Sequence, residues 1–235
     1  MNYAAVIAAG ESLPSDSFIR RKLDEVDTII AADGGFDVLL RLGLQADLLV
    51  GDFDSSSFAY SHPFVQEYIE KGKVLRYPVR KDETDTELAL AYCFQRGAER
   101  VLLFGGAGSR MDHTMVNLAL MKRFEEQGMA VVQYTANNVI RYLVPGVYSL
   151  PLRSPVWYTS FLLFSGESVL TLKGFDYSIT HTTLRAGSSL AVSNHVLESN
   201  NEVRIESDTG CGVFCIQSRD VARASFTEAK EQDKK

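Results

Sequence analysis

Short apolar runs alternate with longer amphipathic stretches over roughly the first 135 residues of the chain. Alternation of this kind is typical of βα units on a parallel sheet. The apolar runs predict strands at residues 3–9, 28–32, 47–50, 74–77, 100–104 and 130–134. Apolar positions at helical spacing predict a helix over residues 84–96 and a second helix from about 112 to 127. We therefore expect an α/β domain over residues 1–137, with a mostly parallel sheet flanked by helices.

The pattern changes after Asn138, where runs rich in Val, Tyr, Thr, Leu and Ser replace the helical stretches. These runs are broken by five turn pairs, Pro145-Gly146, Ser165-Gly166, Lys173-Gly174, Ala186-Gly187 and Thr209-Gly210. Breaks at this frequency indicate hairpins. We expect residues 138–221 to form a separate antiparallel β-sandwich or barrel. The charged tail, 222–235, has few apolar residues and is predicted to be disordered.

Composition narrows the classes of function. A net charge of −6 argues against a nucleic-acid partner, because such binding depends on clustered Lys and Arg. No run reaches the about 18 apolar residues of a membrane helix, and the first apolar run lacks the preceding positive charge of a signal peptide. Three scattered cysteines predict neither a disulfide framework nor a four-thiolate zinc site. We expect a cytoplasmic protein with no membrane or nucleic-acid partner.

Acidic residues follow the second and third predicted strands, at the sheet edge where α/β proteins bind ligands. Asp33 precedes Gly34 and Gly35, and this triplet fits either a ligand loop or an ordinary turn, since Asp and Gly both form turns. Asp52 and Asp54 lie two residues apart and repel each other unless a cation or a proton lies between them. Mg²⁺ prefers carboxylate oxygens. The alternative is two solvated loop acids.

Two further segments precede the predicted helices. Lys81-Asp82-Glu83-Thr84-Asp85 opens the first helix, where Thr84 with Glu87 matches a capping box and can also form part of a site. Residues 105–108 are rich in glycine, which lets backbone N–H groups approach a phosphate in front of the second helix. This loop lacks the lysine and hydroxyl of a Walker A motif. The signal of either segment alone is weak.

Polar side chains at the start of the second helix extend the picture. Arg110 is suited to phosphate oxygens or to a surface salt bridge. His113 can donate to phosphate or pack against the preceding loop, and Asn117, one turn later, can support either role. Four acidic or Gly-rich loops at one predicted sheet edge indicate a phosphate and metal site. The reaction class that follows is phosphoryl-type transfer, in which positioning and charge neutralisation do most of the catalysis.

Taken together, these motifs resemble the thiamin pyrophosphokinase family. The matching segments are Ala32-Asp33-Gly34-Gly35, Gly51-Asp52-Phe53-Asp54-Ser55, Lys81-Asp82 with Thr84-Asp85, and Gly105-Gly106 followed by Arg110, Asp112-His113 and Asn117. The resemblance implies an amino-terminal domain that binds ATP and Mg²⁺, a β-rich domain that binds thiamin, and a homodimer with thiamin near the interface. It also implies the reaction, in which the thiamin hydroxyl takes the diphosphoryl group of ATP and AMP leaves.

The resemblance assigns roles to residues by their place in the motifs. The implied catalytic residues are Asp33, Asp52, Asp54, Asp85 and Asp112, of which Asp52, Asp54 and Asp85 are also the implied metal ligands. The implied ATP and phosphate contacts are Gly34, Gly35, Lys81, Asp82, Thr84, Gly105, Gly106, Arg110, His113 and Asn117.

The second half matches the family less distinctively, through residues 172–177 and Ser193-Asn194. By this resemblance Ser193 and Asn194 would bind the thiamin ring, whereas the residues alone indicate a plain hairpin turn. His195 follows, where close bacterial relatives often carry an acidic residue. Two rival functions stay open beside the kinase. One is a nucleotide-dependent transferase with another acceptor, and the other is a non-catalytic sensor of thiamin or thiamin diphosphate.

Overall fold

The structure, a computed structural model, describes residues 2–52, 63–78 and 82–222. The chain forms two compact units, Met1–Ala136 and Asn137–Lys235. Three of the predicted features lie outside the described residues: Asp54, Lys81, and the tail beyond residue 222.

The first unit contains a parallel sheet in the order β4-β3-β2-β1-β5-β6. The strands are β1 Tyr3–Ile7, β2 Thr28–Ala32, β3 Leu48–Gly51, β4 Val74–Arg76, β5 Arg100–Phe104 and β6 Ala130–Tyr134. β1 lies in the middle, and its last four residues are fully buried, as expected for a parallel sheet covered on both faces. The predicted bounds of β2, β5 and β6 agree with the structure, and the others differ by one or two residues. The α/β prediction for this half is confirmed.

Five helices connect these strands within the described residues: α1 Asp16–Leu23, α2 Gly35–Arg41, α3 Pro63–Glu70, α4 Asp85–Gln95 and α5 Met111–Glu126. The sequence located α4 and α5 to within one residue at each end. It did not locate α1, α2 or α3, because seven or eight residues are too few to show a helical period clearly. No helix in the described part of the chain is long and apolar enough to span a bilayer.

The second unit contains antiparallel strands in the orders β7-β13-β9 and β11-β10-β12-β8. The strands are β7 Asn138–Leu143, β8 Gly146–Tyr148, β9 Trp157–Leu162, β10 Glu167–Lys173, β11 Ile179–Arg185, β12 Glu202–Glu206 and β13 Val213–Arg219. Both groups of strands contribute to one apolar core, in which Phe161 of β9 and Leu170 of β10 are completely buried. The prediction of a β-sandwich is confirmed.

The frequent glycine turns predicted hairpins, and one of the five turns makes one. Only the turn at Lys173-Gly174 joins strands that pair with each other, β10 and β11. β7 pairs with β13, and β8 pairs with β12. A Gly-containing turn reverses the chain, but the choice of partner strand is made by burial in the shared core, which the local sequence does not encode.

Candidate functional site

A cleft of about 490 Å³ lies at the carboxyl ends of the parallel strands in the first unit. It is lined by residues 8–11 after β1, 32–33 after β2, Asp52 after β3, residues 83–86 at the start of α4, residues 105–110 after β5, and His113 and Asn117 of α5. Ligands of open α/β sheets bind at this edge because the loops after parallel strands meet there.

Three carboxylates converge in this cleft. One oxygen from each of Asp33, Asp52 and Asp85 lies within 4.8 Å of the other two. Asp33 is 6% exposed, whereas Asp52 and Asp85 are half-buried. Carboxylates this close repel each other unless a cation or protons lie between them. Two oxygens bound to one Mg²⁺ at about 2.0–2.1 Å are at most about 4.2 Å apart, so a small inward movement makes this cluster a fitting set of ligands.

The backbone around Asp33 explains why its side chain reaches the cleft. Asp33 has a φ of 45°, in the left-handed region that Asp tolerates better than most residues. Its N–H donates to the carbonyl of Val50 at 2.8 Å. Gly35 lies directly against β1, because a Cβ there would be 1.8 Å from the carbonyl oxygen of Ile7. Gly34 and Gly35 do not line the cleft; the missing side chain of Gly35 lets α2 begin close to β1.

In the loop at residues 105–108, the carbonyls of residues 105–107 are bonded to the protein, whereas several N–H groups have no acceptor among the described residues. The carbonyls of Gly105 and Ala107 accept from the N–H groups of Gly10 at 2.9 Å and Ser12 at 3.2 Å, and that of Gly106 accepts from Asn117 Nδ2 at 2.7 Å. Among the described residues, nothing accepts from the N–H groups of residues 106, 107 and 108. A trans peptide points its N–H away from its C=O. Three such donors at a helix start favour an anion.

Of the polar side chains at the start of α5, some line the cleft and some bond to one another. Arg110 Nη2 donates to Asp112 Oδ2 at 2.6 Å, although both side chains are more than 60% exposed. The Arg110 guanidinium, and then the N–H of His113, hold the pKa of the Asp112 carboxyl below its usual value. Arg110 and His113 line the cleft, whereas Asp112 does not. Asn117 is buried and supports the loop through Gly106.

Thr84 serves as both the helix cap and part of the cleft wall. Its Oγ1 accepts from the N–H of Glu87 at 3.1 Å, as in the first half of a capping box. The second half is not formed, because the Glu87 carboxylate accepts instead from Arg123 Nη1 at 2.8 Å. Asp82 is exposed and lies outside the cleft lining.

In the second unit, residues 193–195 form a turn, which we call the 193–195 turn. The side-chain amide of this turn is bonded to backbone groups of the protein. Asn194 is 3% exposed; its Oδ1 accepts from the N–H of Tyr177 at 2.9 Å and its Nδ2 donates to the Tyr177 carbonyl at 2.7 Å. The N–H of His195 donates to the same Oδ1 at 2.8 Å. Ser193 has a φ of 61° and an exposed side chain. Asn194 also pairs with Thr159 of β9, so this segment is not a simple hairpin turn.

Comparison with known proteins decides the family. Residues 19–133 match the family described as the thiamin pyrophosphokinase catalytic domain, and residues 152–211 match its vitamin B1 binding domain. The thiamine pyrophosphokinase of Bacillus subtilis is 30% identical over 179 residues, which cover 75% of this chain and 81% of that protein. The chain belongs to the thiamin pyrophosphokinase family.

Solved structures of this family share the fold. The crystal structure of the Bacillus subtilis thiamine pyrophosphokinase matches with a TM-score of 0.77 and 26% identity, covering 94% of this chain and all of that one. The thiamin pyrophosphokinase family protein of Enterococcus faecalis matches with a TM-score of 0.75 and 27% identity, covering 94% and 100% of the two chains. The catalytic-domain match includes Asp33, Asp52, Asp85 and the 105–108 loop.

The loop after β1 lines the cleft but lies before the catalytic-domain match of the thiamin pyrophosphokinase family, and the sequence analysis did not select it. Glu11 Oε1 accepts from Ser109 Oγ at 3.0 Å, which joins this loop to the one after β5. Gly10 is required there, since a Cβ would be 2.2 Å from the Gly105 carbonyl oxygen. The available signal was the Ala9-Gly10 break at the end of the first strand.

Proposed function

We propose that this chain transfers the diphosphoryl group of ATP to the hydroxyl of thiamin, giving thiamin diphosphate and AMP. The observation that carries the proposal is that Asp33, Asp52 and Asp85 converge in the same cleft as the N–H groups of residues 106–108, which have no acceptor in the part of the chain that the structure describes. A carboxylate cluster and a set of backbone donors in one cleft suit a metal-bound polyphosphate. Membership of the thiamin pyrophosphokinase family supports thiamin as the acceptor.

In this proposal Asp33, Asp52 and Asp85 hold Mg²⁺, joined by Asp54 on the strength of its motif. Bound there, Mg²⁺ supplies charge neutralisation on the phosphate oxygens. The N–H groups of residues 106–108 bind phosphate oxygens and keep the chain of phosphates extended along the cleft. Arg110 and His113, which line the same cleft, add side-chain donors. Lys81, Asp82, Thr84 and Asp112 complete the nucleotide side in the family pattern.

The chemical step is an in-line displacement at the β-phosphorus. The thiamin hydroxyl oxygen forms a bond to the β-phosphorus, and the bond from that phosphorus to the oxygen bridging the α- and β-phosphates breaks. AMP leaves with the bridging oxygen, and the hydroxyl proton passes to a nearby carboxylate or to solvent. The protein's contribution is to position the reactants and to stabilise the charge that shifts toward AMP.

We place nucleotide binding in residues 1–137 and thiamin binding in residues 138–221, with Ser193 as the direct contact of the 193–195 turn. The exposed Ser193 hydroxyl is available to a ligand, whereas the Asn194 amide holds Tyr177 and acts by fixing the turn. We further propose a cytoplasmic homodimer in which thiamin lies near the interface between the copies. The acidic net charge of −6 supports a small-molecule substrate bound through a cation rather than a nucleic acid.

The test is an assay of the purified chain with MgATP and thiamin, followed by chromatography. The proposal expects AMP and thiamin diphosphate in equal amounts. ADP would indicate transfer of a single phosphoryl group. Turnover only when another acceptor replaces thiamin would indicate a different transferase, and thiamin binding without turnover would indicate a sensor. Asp52→Asn should abolish turnover, while Asp208→Asn, which changes an exposed carboxylate of the second unit, should leave it unchanged.

A further inference from the structure

Gln133 is a buried side chain whose amide makes no hydrogen bond to any residue that the structure describes. It lies on β6, next to the last residue of the strand, and is 0% exposed. Neither its Oε1 nor its Nε2 has a partner among the described residues. Buried polar groups are almost always bonded, because each one left unsatisfied destabilises the fold. An apolar residue of the same length would suit this position better in the free protein.

The neighbour of this amide is the 105–108 loop. A Cβ built on Gly106 would be 2.6 Å from Gln133 Oε1 and 2.8 Å from Leu103 Cδ2, so the amide lies against the bare α-carbon of Gly106. Asn117 contacts the same residue and donates to its carbonyl at 2.7 Å. Two buried amides therefore support the loop, and only the Asn117 amide is bonded to it.

The loop backbone can supply the missing bonds if it moves slightly. The carbonyls of residues 105, 106 and 107 each already accept one bond, and the N–H groups of residues 106, 107 and 108 have no acceptor among the described residues. Gly105 has a φ of 68°, and both it and Gly106 lack a side chain that would restrict rotation of the peptides on either side. A bound phosphate that draws in part of this loop reorients the peptide groups next to the Gln133 amide.

We propose that Gln133 is a positioning residue for the nucleotide, whose buried amide gains hydrogen bonds from those peptide groups of residues 105–107 that do not bind the phosphate, and only when phosphate is bound to the loop. The inference rests on the proposed function, since it takes ATP as the ligand of the cleft. The free protein contains an unbonded amide and the occupied one does not. The ligand thus binds the loop more tightly in the arrangement that makes these bonds than in the arrangement that lacks them.

The experiment replaces the amide by an apolar side chain of similar length, Gln133→Met. Without ligand, the unfolding temperature should rise by about 2–4 °C, because an unsatisfied polar group is removed. Calorimetric binding of MgATP, with no thiamin present, should weaken about 5- to 30-fold. In the full assay the KM for MgATP should rise in parallel, with a smaller change in kcat.

Gln217→Met provides the matched control in the second unit. Gln217 is 2% exposed, but its Oε1 accepts from Arg153 Nε at 2.9 Å and its Nε2 donates to Thr159 Oγ1 at 3.4 Å. This variant should unfold at a lower temperature and bind MgATP as the wild type does.

Three results would overturn the proposal. The first is a Gln133→Met protein that unfolds at a lower temperature and binds MgATP with unchanged affinity, because that pair of effects marks an amide already bonded in the free state. The second is failure of both Gln133→Met and Gln133→Leu to fold. The third is a wild-type chain that does not bind MgATP, which would also contradict the proposed function. If the wild type binds MgATP and Gln133→Met binds it equally well, only the role of Gln133 is contradicted.

Discussion

The cleft of the first unit and the 193–195 turn of the second differ in what their polar side chains contact. In the cleft, Asp33, Asp52 and Asp85 are held within 4.8 Å of one another despite their repulsion. In the turn, the Asn194 amide bonds to Tyr177 through both its oxygen and its nitrogen. The first arrangement suits a bound cation, whereas the second contributes stability on its own.

Hydrogen bonding within the protein distinguishes groups that can bind a ligand from groups that hold a loop in place. Membership of a family motif does not make this distinction. Asn117 and Asn194 both belong to family motifs, yet both are buried and donate to backbone carbonyls. Each fixes a loop whose other groups face outward: the N–H groups of residues 106–108 in one case and the Ser193 hydroxyl in the other. Substitutions of the cleft carboxylates should therefore reduce activity with little loss of stability, and substitutions of Asn117 and Asn194 should reduce stability first.

The largest effect is expected for Asp33→Asn. Asn tolerates the left-handed backbone of residue 33, so the fold should be kept, while loss of one negative charge weakens metal and phosphate binding. We expect kcat/KM to fall by about 10³-fold, and the unfolding temperature to stay level or rise as repulsion is relieved. Steady-state kinetics and thermal unfolding measure both. A variant that keeps near wild-type kcat/KM would show that residue 33 is a supporting group.

Gly105→Ala tests whether the loop after β5 is held by close backbone contact. An added Cβ would be 2.0 Å from the Ala8 carbonyl oxygen, at a φ of 68°. The free energy of unfolding should fall by roughly 3 kcal/mol in denaturant titrations. Gly187→Ala is the matched control, because its φ is 78° but no atom lies within 4 Å of the added Cβ; it should cost about 1 kcal/mol. Equal losses in the two variants would contradict the close contact.

Asn194→Ala and Ser193→Gly divide the 193–195 turn into its two roles. Asn194→Ala removes both hydrogen bonds from the part-buried backbone N–H and C=O of Tyr177 and should lower the free energy of unfolding by about 2 kcal/mol. Ser193→Gly removes the strain of a φ of 61° and should raise the free energy of unfolding by up to about 1 kcal/mol. Because the hydroxyl is lost, the same variant should raise the KM for thiamin. The KM for MgATP should not change in either variant. An unaltered thiamin KM in Ser193→Gly would exclude its hydroxyl as a contact.

The smallest effect concerns the exposed pair at the start of α5. Arg110→Gln should raise the pKa of Asp112 back toward 3.8, which NMR titration of the carboxyl can follow. Because the folded-state pKa of Asp112 is lowered, the pair stabilises the protein above the unfolded-state pKa and loses this contribution as the pH falls through the folded-state value. Both side chains are well exposed, so the unfolding temperature at pH 7 should hardly change. A large drop would mean that the pair supports the loop.

Much of the first unit could be predicted because its signals are local. An apolar run that is buried on both faces predicts its own strand, as for β2, β5 and β6, and the ends of parallel strands share one edge of the sheet. That rule was enough to place Asp33, Asp52 and Asp85 in one site. α1, α2 and α3 were missed since their amphipathic stretches are short, and the strand pairs of the second unit were missed because turns do not specify partners.

The roles of the polar side chains depended on distances that no local pattern contains. Gln133 follows Val131 and Val132 in the sequence and looks like one polar position in a strand, whereas the structure buries its amide against Gly106. Glu11 and Ser109 are 98 residues apart and meet only because β1 and β5 are neighbours in the sheet.

By itself, the sequence determined the two-part architecture and the edge of the sheet that carries the candidate site. It also determined the acidic and Gly-rich loops whose residue types suit a metal ion and phosphate. Only the tertiary structure decided which of those groups remain available to a ligand and which hold the loops. The physical reason is that chain periodicity sets which faces are buried, while hydrogen-bond satisfaction and charge repulsion depend on atoms brought within a few ångströms from distant parts of the chain.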